Sequence, residues 1–562
     1  MRVTIRGRWG VRLGFLVSVG LSGCTGTPGT GRDVAPSPAQ EVEEQRLQRL
    51  LFDFADDSLA GRVAGTIGHF RATEYLEQRA REFGLSPAGD GGTYFQDVPL
   101  RTREWSSTLS VGGRSLDVDA EFVPLALDEV PGSTELRLDG PRTIFAGDLG
   151  STGPLDAGTV TGSVVVLGAY ETPDGRVFGL PPGALDAFQD ASAIFIAEND
   201  YAGGELMDFL LEPQTVLLED SPEPKTGPLI AFVSESLVER LFKRPIDEIE
   251  PGAVGATITG DLTMVDRDTE APSRNVVAVI RGSDPELRDE YVVISAHSDH
   301  VAPVTPAVPH DSLRAYLALV RPLGAESEER SATPTEEQAI LASLAAGDRD
   351  TRLDSIRNGA DDDGSGSVAL LEMGRVLVAR RETLRRSVLL VWHTAEEAGL
   401  FGAKHFTDNP TVPLESIVAN INLDMIGRGG VQDLEFGGRG YLQLIGSRRL
   451  STQLGDLVEA VNSDEQHGFD FDYQYDADGH PSNFYCRSDH YMYARYGIPI
   501  VFMSTGGHQD YHMRTDEPQY IDYGKLSRVT SFAMRVAQRV AGLDVRPFVD
   551  KPKPDPTTPC IQ

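Results

Sequence analysis

Five side chains of metal-ligating type stand out along the 562 residues: His297 in AHSDH, Asp362 in GADDDGSG, Glu397 in TAEEAGLFG, Asp424 in NLDMIG and His512 in DYHMRTDEP. Two imidazoles and three carboxylates are a mixed nitrogen and oxygen donor set suited to zinc, and five are more than one zinc takes from protein. In the pair Glu396-Glu397, one carboxylate can ligate while its neighbour takes a proton from water, as metal-assisted hydrolysis requires. Asp299, two residues after His297, is a candidate to orient that imidazole. Asp424 interrupts the apolar run INLDMIG, where a buried carboxylate demands a partner and a cation is the simplest one. Singly, each has a bland reading: a solvated turn for 361–363, exposed glutamates at a helix start, a surface histidine with His508 as its neighbour. Their order, and the apolar run before each, point to a two-metal hydrolase.

The elements that must position them follow from pattern. RNVVAVIRG, YVVISAH, SVLLVWHT, IVANINLDM and GIPIVFMST read as buried strands. Helical periodicity runs over 45–53, 69–83, 365–380 and 525–543. Strands alternating with helices predict an α/β fold, a mostly parallel mixed sheet flanked by helices. Such a sheet gathers strand ends at one edge, so distant residues meet there. From about 128 to 266 the texture changes to short β-like runs (TELRL, RTIFAG, SVVVLG, AIFIAEN, LIAFVS) and a helical SESLVERLF, which reads as an inserted β-rich domain. Residues 301–357 form a long segment with two helical stretches, SLRAYLALV and EEQAILASLAA.

Hydrophobic residues make up 40% of the chain, enough for real cores, and a net charge of −34 argues against nucleic acid as a partner. Arg2, Arg6, Arg8 and Arg12 precede an apolar stretch, Leu13 to Leu21, too short to span a bilayer. It runs into Leu21-Ser22-Gly23-Cys24, which resembles the bacterial lipoprotein signal; an ordinary secretory signal is the alternative. The expectation is an exported chain with signal residues 1–24, a membrane anchor through lipid on Cys24 and a flexible tether over 25–45. Thr25 in place of Asp favours the outer membrane, with the periplasm as the alternative. Cys486 and Cys560 are then either a disulfide or two free thiols, since spacing cannot show proximity.

Taken in order, RNVVAVIRGSDPELRDEYVVISAHSDH, DSIRNGADDDGSGSVALLEMGRVL, WHTAEEAGLFGAKHF, NLDMIGR, RSDHYMYARYGIPIVF and DYHMRTDEP resemble the co-catalytic zinc aminopeptidases of clan MH, the glutamate-carboxypeptidase-like peptidases. The resemblance covers residues 46–127 and 266–545 and leaves 546–562 as a tail. The stretch 128–265 is similar to a protease-associated (PA) domain, on VTGSVVVLG and SESLVERLF. The resemblance implies two zinc ions. Asp362, the second of the acidic pair rather than Asp361, would bridge them, with a cis peptide bond after it. His297 and Asp424 would complete one site, and Glu397 and His512 the other. Glu396 would be the general base, Asp299 the orienter of His297, and Tyr511 a stabiliser of the tetrahedral intermediate, with Tyr485 as its competitor. The implied activity is hydrolysis of the N-terminal peptide bond of peptides. A carboxypeptidase or dipeptidase is the runner-up, with Arg487 or Arg514 to receive a carboxylate; a glutaminyl cyclase and a metal-free receptor are more distant. Two departures bear on the cleft: the segment after His300 is longer than in compact relatives, and Val301-Ala302-Pro303 replaces a glycine expected there.

Overall fold

The computed structural model describes residues 42–562 apart from 119, 126–132, 134, 150–156, 169–170, 173–174, 177–182, 198–213, 219–226, 328–329, 347–351 and 435. The expected signal, Cys24 and nearly all of the tether lie outside the described residues. The chain divides into two compact units: Thr102–Gln214 with Asp220–Arg267, and Ala35–Arg101 with Thr215–Glu219 and Asp268–Gln562.

The second unit is built on a nine-stranded sheet. Its strands are β1 (Ser86–Pro87), β2 (Phe95–Val98), β3 (Ser273–Ile280), β4 (Tyr291–His297), β5 (Ser387–His393), β6 (Ile417–Leu423), β7 (Tyr441–Ile445), β8 (Asp470–Asp472) and β9 (Ile500–Ser504). The order is β1-β3-β5-β4-β6-β9-β7-β8, with β2 also on β3. Only the central four, β5-β4-β6-β9, form a continuous parallel block. β3 joins β5, and β7 joins β9, antiparallel. β8 then pairs β7 in parallel at the far edge, so the sheet is mixed, with its longest parallel run at the centre. The strand YLQLI, which forms β7, was not among the runs read from sequence: it is a short buried stretch without strong alternation.

The central strands are apolar along their whole length because both faces are covered. Val292, Ile294 and Ala296 of β4 face one core with Trp392, while Tyr291 and Val293 face the other with Leu389 and Val391. The longer helices are α1 (Glu44–Phe54), α2 (Ile67–Glu82), α3 (His310–Val320), α4 (Pro334–Ala346), α5 (Gly366–Ala379), α6 (Phe401–Asp408), α7 (Thr452–Asp464) and α8 (Tyr523–Ala541). α5 is buried from Gly366 to Gly374, so the residues preceding it are held at a fixed helix start. α3 and α4 belong to the 301–357 segment, whose ends pair as an antiparallel ladder, Val308 with Asp354 and Pro309 with Leu353. Cys486 and Cys560 form a disulfide, which decides between the two readings left open above.

The first unit contains a six-stranded sheet in the order Val254–Gly255, Thr143–Asp148, Val164–Gly168, Ala193–Ala197, Leu229–Val233, Phe122–Pro124. Its helix Glu235–Phe242 is capped by the Ser234 hydroxyl. A boundary at residue 128 falls inside this unit. Phe122–Pro124 pairs with Leu229–Val233, and Ser110–Val111 pairs with Ile258–Thr259. These short early strands carry little periodicity of their own and are recruited by pairing across more than a hundred residues.

Candidate active site

The four parallel strands each deliver one part of the site at their carboxyl ends, where an open α/β sheet places its ligands. β4 ends on His297, β5 is followed by Glu396 and Glu397, β6 by Asp424, and β9 by the loop that reaches His512. Asp362 comes from the turn that opens α5, and the Asp362–Asp363 peptide bond is cis.

Asp362 stands at the centre. Its Oδ1 is 3.1 Å from His297 Nε2, which is itself 3.6 Å from Asp424 Oδ1. Its Oδ2 is 3.1 Å from His512 Nε2, and that nitrogen is 3.1 Å from Glu397 Oε2. Donors about 2.0–2.1 Å from a tetrahedral ion lie roughly 3.3 Å from one another, so each histidine nitrogen stands from its carboxylate neighbours at about the spacing of shared metal ligands. Among the described residues, His297 Nε2, His512 Nε2 and Asp362 Oδ2 are buried without a hydrogen-bond partner, an arrangement that asks for a cation. Charge says the same: burial alone would lower the pKa of His512, yet Glu397 and Asp362 push it up to about 10. These donors are of the kinds that zinc takes.

Glu396 is buried beside this cluster. Burial pushes its carboxyl well above the usual range; His297 pulls it down, and Asp424 and Glu397 push it further up. Asp299 serves differently from the expectation. His297 Nδ1 donates to the Asp299 backbone carbonyl at 3.2 Å, while the Asp299 carboxylate stands 3.8 Å from that nitrogen. The carboxylate instead accepts the Glu396 backbone N–H at 3.1 Å. A two-residue spacing in a tight turn presents the carbonyl first. Tyr511 stacks its ring on the His512 imidazole with centroids 3.9 Å apart, and its hydroxyl is 3.5 Å from Arg487 Nη2. Tyr485 is buried in the apolar cluster with Tyr491 and Tyr493. Asp361 turns away: its Oδ1 accepts the Gly427 N–H at 2.6 Å, and His508 Nε2 is 3.3 Å from its Oδ2.

Residues 275–537 match the family model described as Peptidase family M28. The chain carries a peptidase family M28 domain. Leucine aminopeptidase 1 of Ajellomyces dermatitidis is 28% identical over 198 residues, 33% of this chain and 48% of that protein. An aminopeptidase of Pseudomonas aeruginosa is 41% identical over 92 residues, 16% of this chain and 17% of that one. The chain thus spans about half the length, or less, of these relatives. The solved aminopeptidase from Aneurinibacillus sp. strain AM-1 gives a TM-score of 0.48 at 17% identity, over 92% of this chain and 98% of that one.

Several residues that shape the M28 site escaped the sequence reading. His300 Nδ1 donates to Glu397 Oε1 at 2.9 Å; its signal was the second histidine of HSDH. Asp363 accepts the N–H groups of His297, Gly366 and Met425 at 3.1, 2.9 and 3.2 Å, tying β4, α5 and the turn after Asp424 together. A buried polar chain leads to Asp424. Asn420 donates to Ser295, Ser295 to Asn422, Asn422 to Ser488, and Ser488 to Asp424 Oδ2, each between 2.7 and 2.9 Å. Arg62 is buried, and burial pulls its pKa down to about 10. Its guanidinium donates to the carbonyls of Ser298, Asn358 and Gly359 at 3.1, 2.5 and 2.9 Å, bracing the turns that carry Asp299 and Asp362. Its SLAGR context reads only as a glycine-rich loop. Arg62 at φ 57°, Ala395 at 53°, Met425 at 59° and His512 at 59° adopt left-handed backbone although none is glycine. Each such conformation costs about 1–2 kcal/mol, and strain of this kind persists where surrounding contacts over-determine it.

Proposed function

We propose that the M28 domain is a di-zinc aminopeptidase that hydrolyses the N-terminal peptide bond of peptides. The observation that carries this reading is the Asp362 carboxylate, each oxygen 3.1 Å from a different histidine of two ligand groups. His297, Asp362 and Asp424 would hold one zinc, and Asp362, Glu397 and His512 the other. Zinc bound there supplies Lewis acidity, making water a better nucleophile and polarising the scissile carbonyl.

The chain's own groups do the rest. Glu396, buried and outside both ligand groups, takes the proton from the attacking water and returns it to the leaving amine. Asp299 fixes Glu396 through its backbone N–H and His297 through its own carbonyl. Tyr511, held against His512, presents its hydroxyl to the developing oxyanion. The carboxylates around the cluster favour a substrate's free α-ammonium group. Arg487 beside the Tyr511 hydroxyl suits a carboxypeptidase or dipeptidase, because it could receive an α-carboxylate.

Peptides blocked at one end or the other, with leucine p-nitroanilide as a free-amine probe, test this with and without chelator. Chelator-sensitive cleavage that stops when the amine is acetylated is the expected result. Cleavage that survives acetylation but stops with a blocked carboxyl end turns the assignment to a carboxypeptidase.

The β-rich unit is read as a PA-like insertion, on its position ahead of residue 275 and its mixed sheet. The Leu21–Cys24 sequence supports the reading of export, lipid attachment at Cys24 and an envelope location. Radiolabelled palmitate incorporated by wild type and not by Cys24→Ala is the corresponding check.

A further inference from the structure

We infer that the 301–357 insert is a clamp that sets the position of Tyr511 and His512, with Arg321 as its positioning residue. The inference rests on the di-zinc reading for its catalytic consequence.

The loop after β9 has to place His512 in left-handed backbone at φ 59°, and the insert supplies contacts that hold it there. The turn after α3 lies directly on the loop's backbone. A Cβ on Gly324 would come within 2.0 Å of the Gly507 carbonyl oxygen, and Gly324 itself has φ +66°. The Ala325 N–H donates to that same carbonyl at 2.9 Å. Arg321 Nη1 then reaches two further carbonyls, Gln509 at 3.0 Å and Tyr511 at 3.2 Å, the latter in the residue just before the ligand. Between them, the Asp510 carboxylate receives Arg314 Nη1 at 3.2 Å and Arg428 Nη2 at 3.0 Å.

Beyond His512 the insert grips the loop again. His310 hydrogen-bonds Tyr520 at 3.0 Å and Asp354 at 3.0 Å, the Arg314 guanidinium lies 3.4 Å from the Tyr520 ring centre, and Arg352 bonds Glu517. His310, Asp354 and Glu517 lie close enough to hold an ion. The Arg352 guanidinium already contacts both carboxylates, so this corner is a lock rather than a second metal site. The loop is thus fixed on both sides of His512 by one insert. A fixed main chain is what a left-handed ligand residue needs in order to present its imidazole with little reorganisation.

The test compares wild type with Arg321→Ala and Arg321→Lys. Amide hydrogen exchange over 507–517 in metal-free protein should rise at least tenfold in Arg321→Ala and stay unchanged in β4 and β5. Titration with zinc against a chromophoric chelator should show one of the two sites losing at least tenfold in affinity while the other holds. kcat should fall at least tenfold with KM within twofold, and Arg321→Lys should recover part of all three. A purely structural role would instead lower both zinc affinities and the melting temperature together, and that result overturns the inference. So does an Arg321→Ala protein whose loop exchange and both zinc affinities stay within twofold of wild type. Should Arg321→Ala not fold, Arg321→Lys alone must show the selective loss of affinity at one zinc site. A wild-type protein that binds no zinc would remove the di-zinc reading, whereas the exchange measurement would still judge the clamp.

Discussion

The Asp516 carboxylate accepts the backbone N–H of Asp362 at 3.1 Å, and also that of Asp361, so the loop carrying His512 grips the very turn that carries the bridging carboxylate. Two ligands 150 residues apart are thereby positioned by one buried side chain, itself pushed up to about 7, chiefly by burial.

Replacing Asp516 separates acceptor from charge. Asp516→Ala leaves two buried N–H donors unpaired, at about 1–3 kcal/mol each, while Asp516→Asn keeps an acceptor. Urea unfolding should show the alanine variant clearly less stable than the asparagine variant. Zinc titration should show both below wild type, with alanine the weaker.

Glu396 and Glu397 are neighbours with opposite expected phenotypes. Glu396→Gln should keep both zinc ions and lose roughly 10²- to 10⁴-fold in kcat, the usual contribution of a general base. Glu397→Gln removes a charged donor 3.1 Å from His512 Nε2 and should lower zinc stoichiometry first. Metal analysis alongside steady-state kinetics separates the two. Full turnover by Glu396→Gln would remove the proposed mechanism.

The Cys486–Cys560 disulfide closes a separation of 74 residues. Loop-closure entropy for that length is worth about 4 kcal/mol. It also holds Cys486 two residues from Ser488, whose hydroxyl bonds Asp424 at 2.8 Å. Cys560→Ser should therefore lower the melting temperature measurably, and mild reduction of wild type should reproduce the shift.

His310 gives a pH dependence with a definite sign. Burial alone would lower its pKa, but the Asp354 hydrogen bond and the Glu517 charge outweigh burial, and Arg352 opposes them only partly, so it is raised. A raised imidazole binds its proton more tightly in the folded state. Its contribution is full below the unfolded value of about 6.5 and is lost as pH rises through the raised folded value. The wild type should lose more unfolding free energy between pH 6 and pH 9 than His310→Gln does. Equal slopes would show that His310 carries no proton-linked stability.

Much of the site was legible because ligand chemistry is written in side-chain type. His297, Glu397 and Asp424 each interrupt or follow an apolar run, and a polar residue at the end of a buried strand has few other uses. Asp362 was separable from Asp361 only through the family resemblance, and the structure turns Asp361 toward Gly427. Asp299 shows the limit. Its proximity to His297 was correct, but which of its oxygens does the work depends on the turn's dihedral angles, which residue type does not encode.

What the sequence by itself determined is the donor set, the strands that end on it and the helices between them, because local periodicity and burial follow from residue type. What only the tertiary structure decided is everything made through backbone atoms or distant partners: Arg62 on the carbonyls of Ser298, Asn358 and Gly359, Asp516 on two N–H groups, Arg321 on Gln509 and Tyr511, and the pairing of Cys486 with Cys560. Carbonyl and amide groups are the same at every residue, so a contact to them leaves no mark on the sequence at the receiving end.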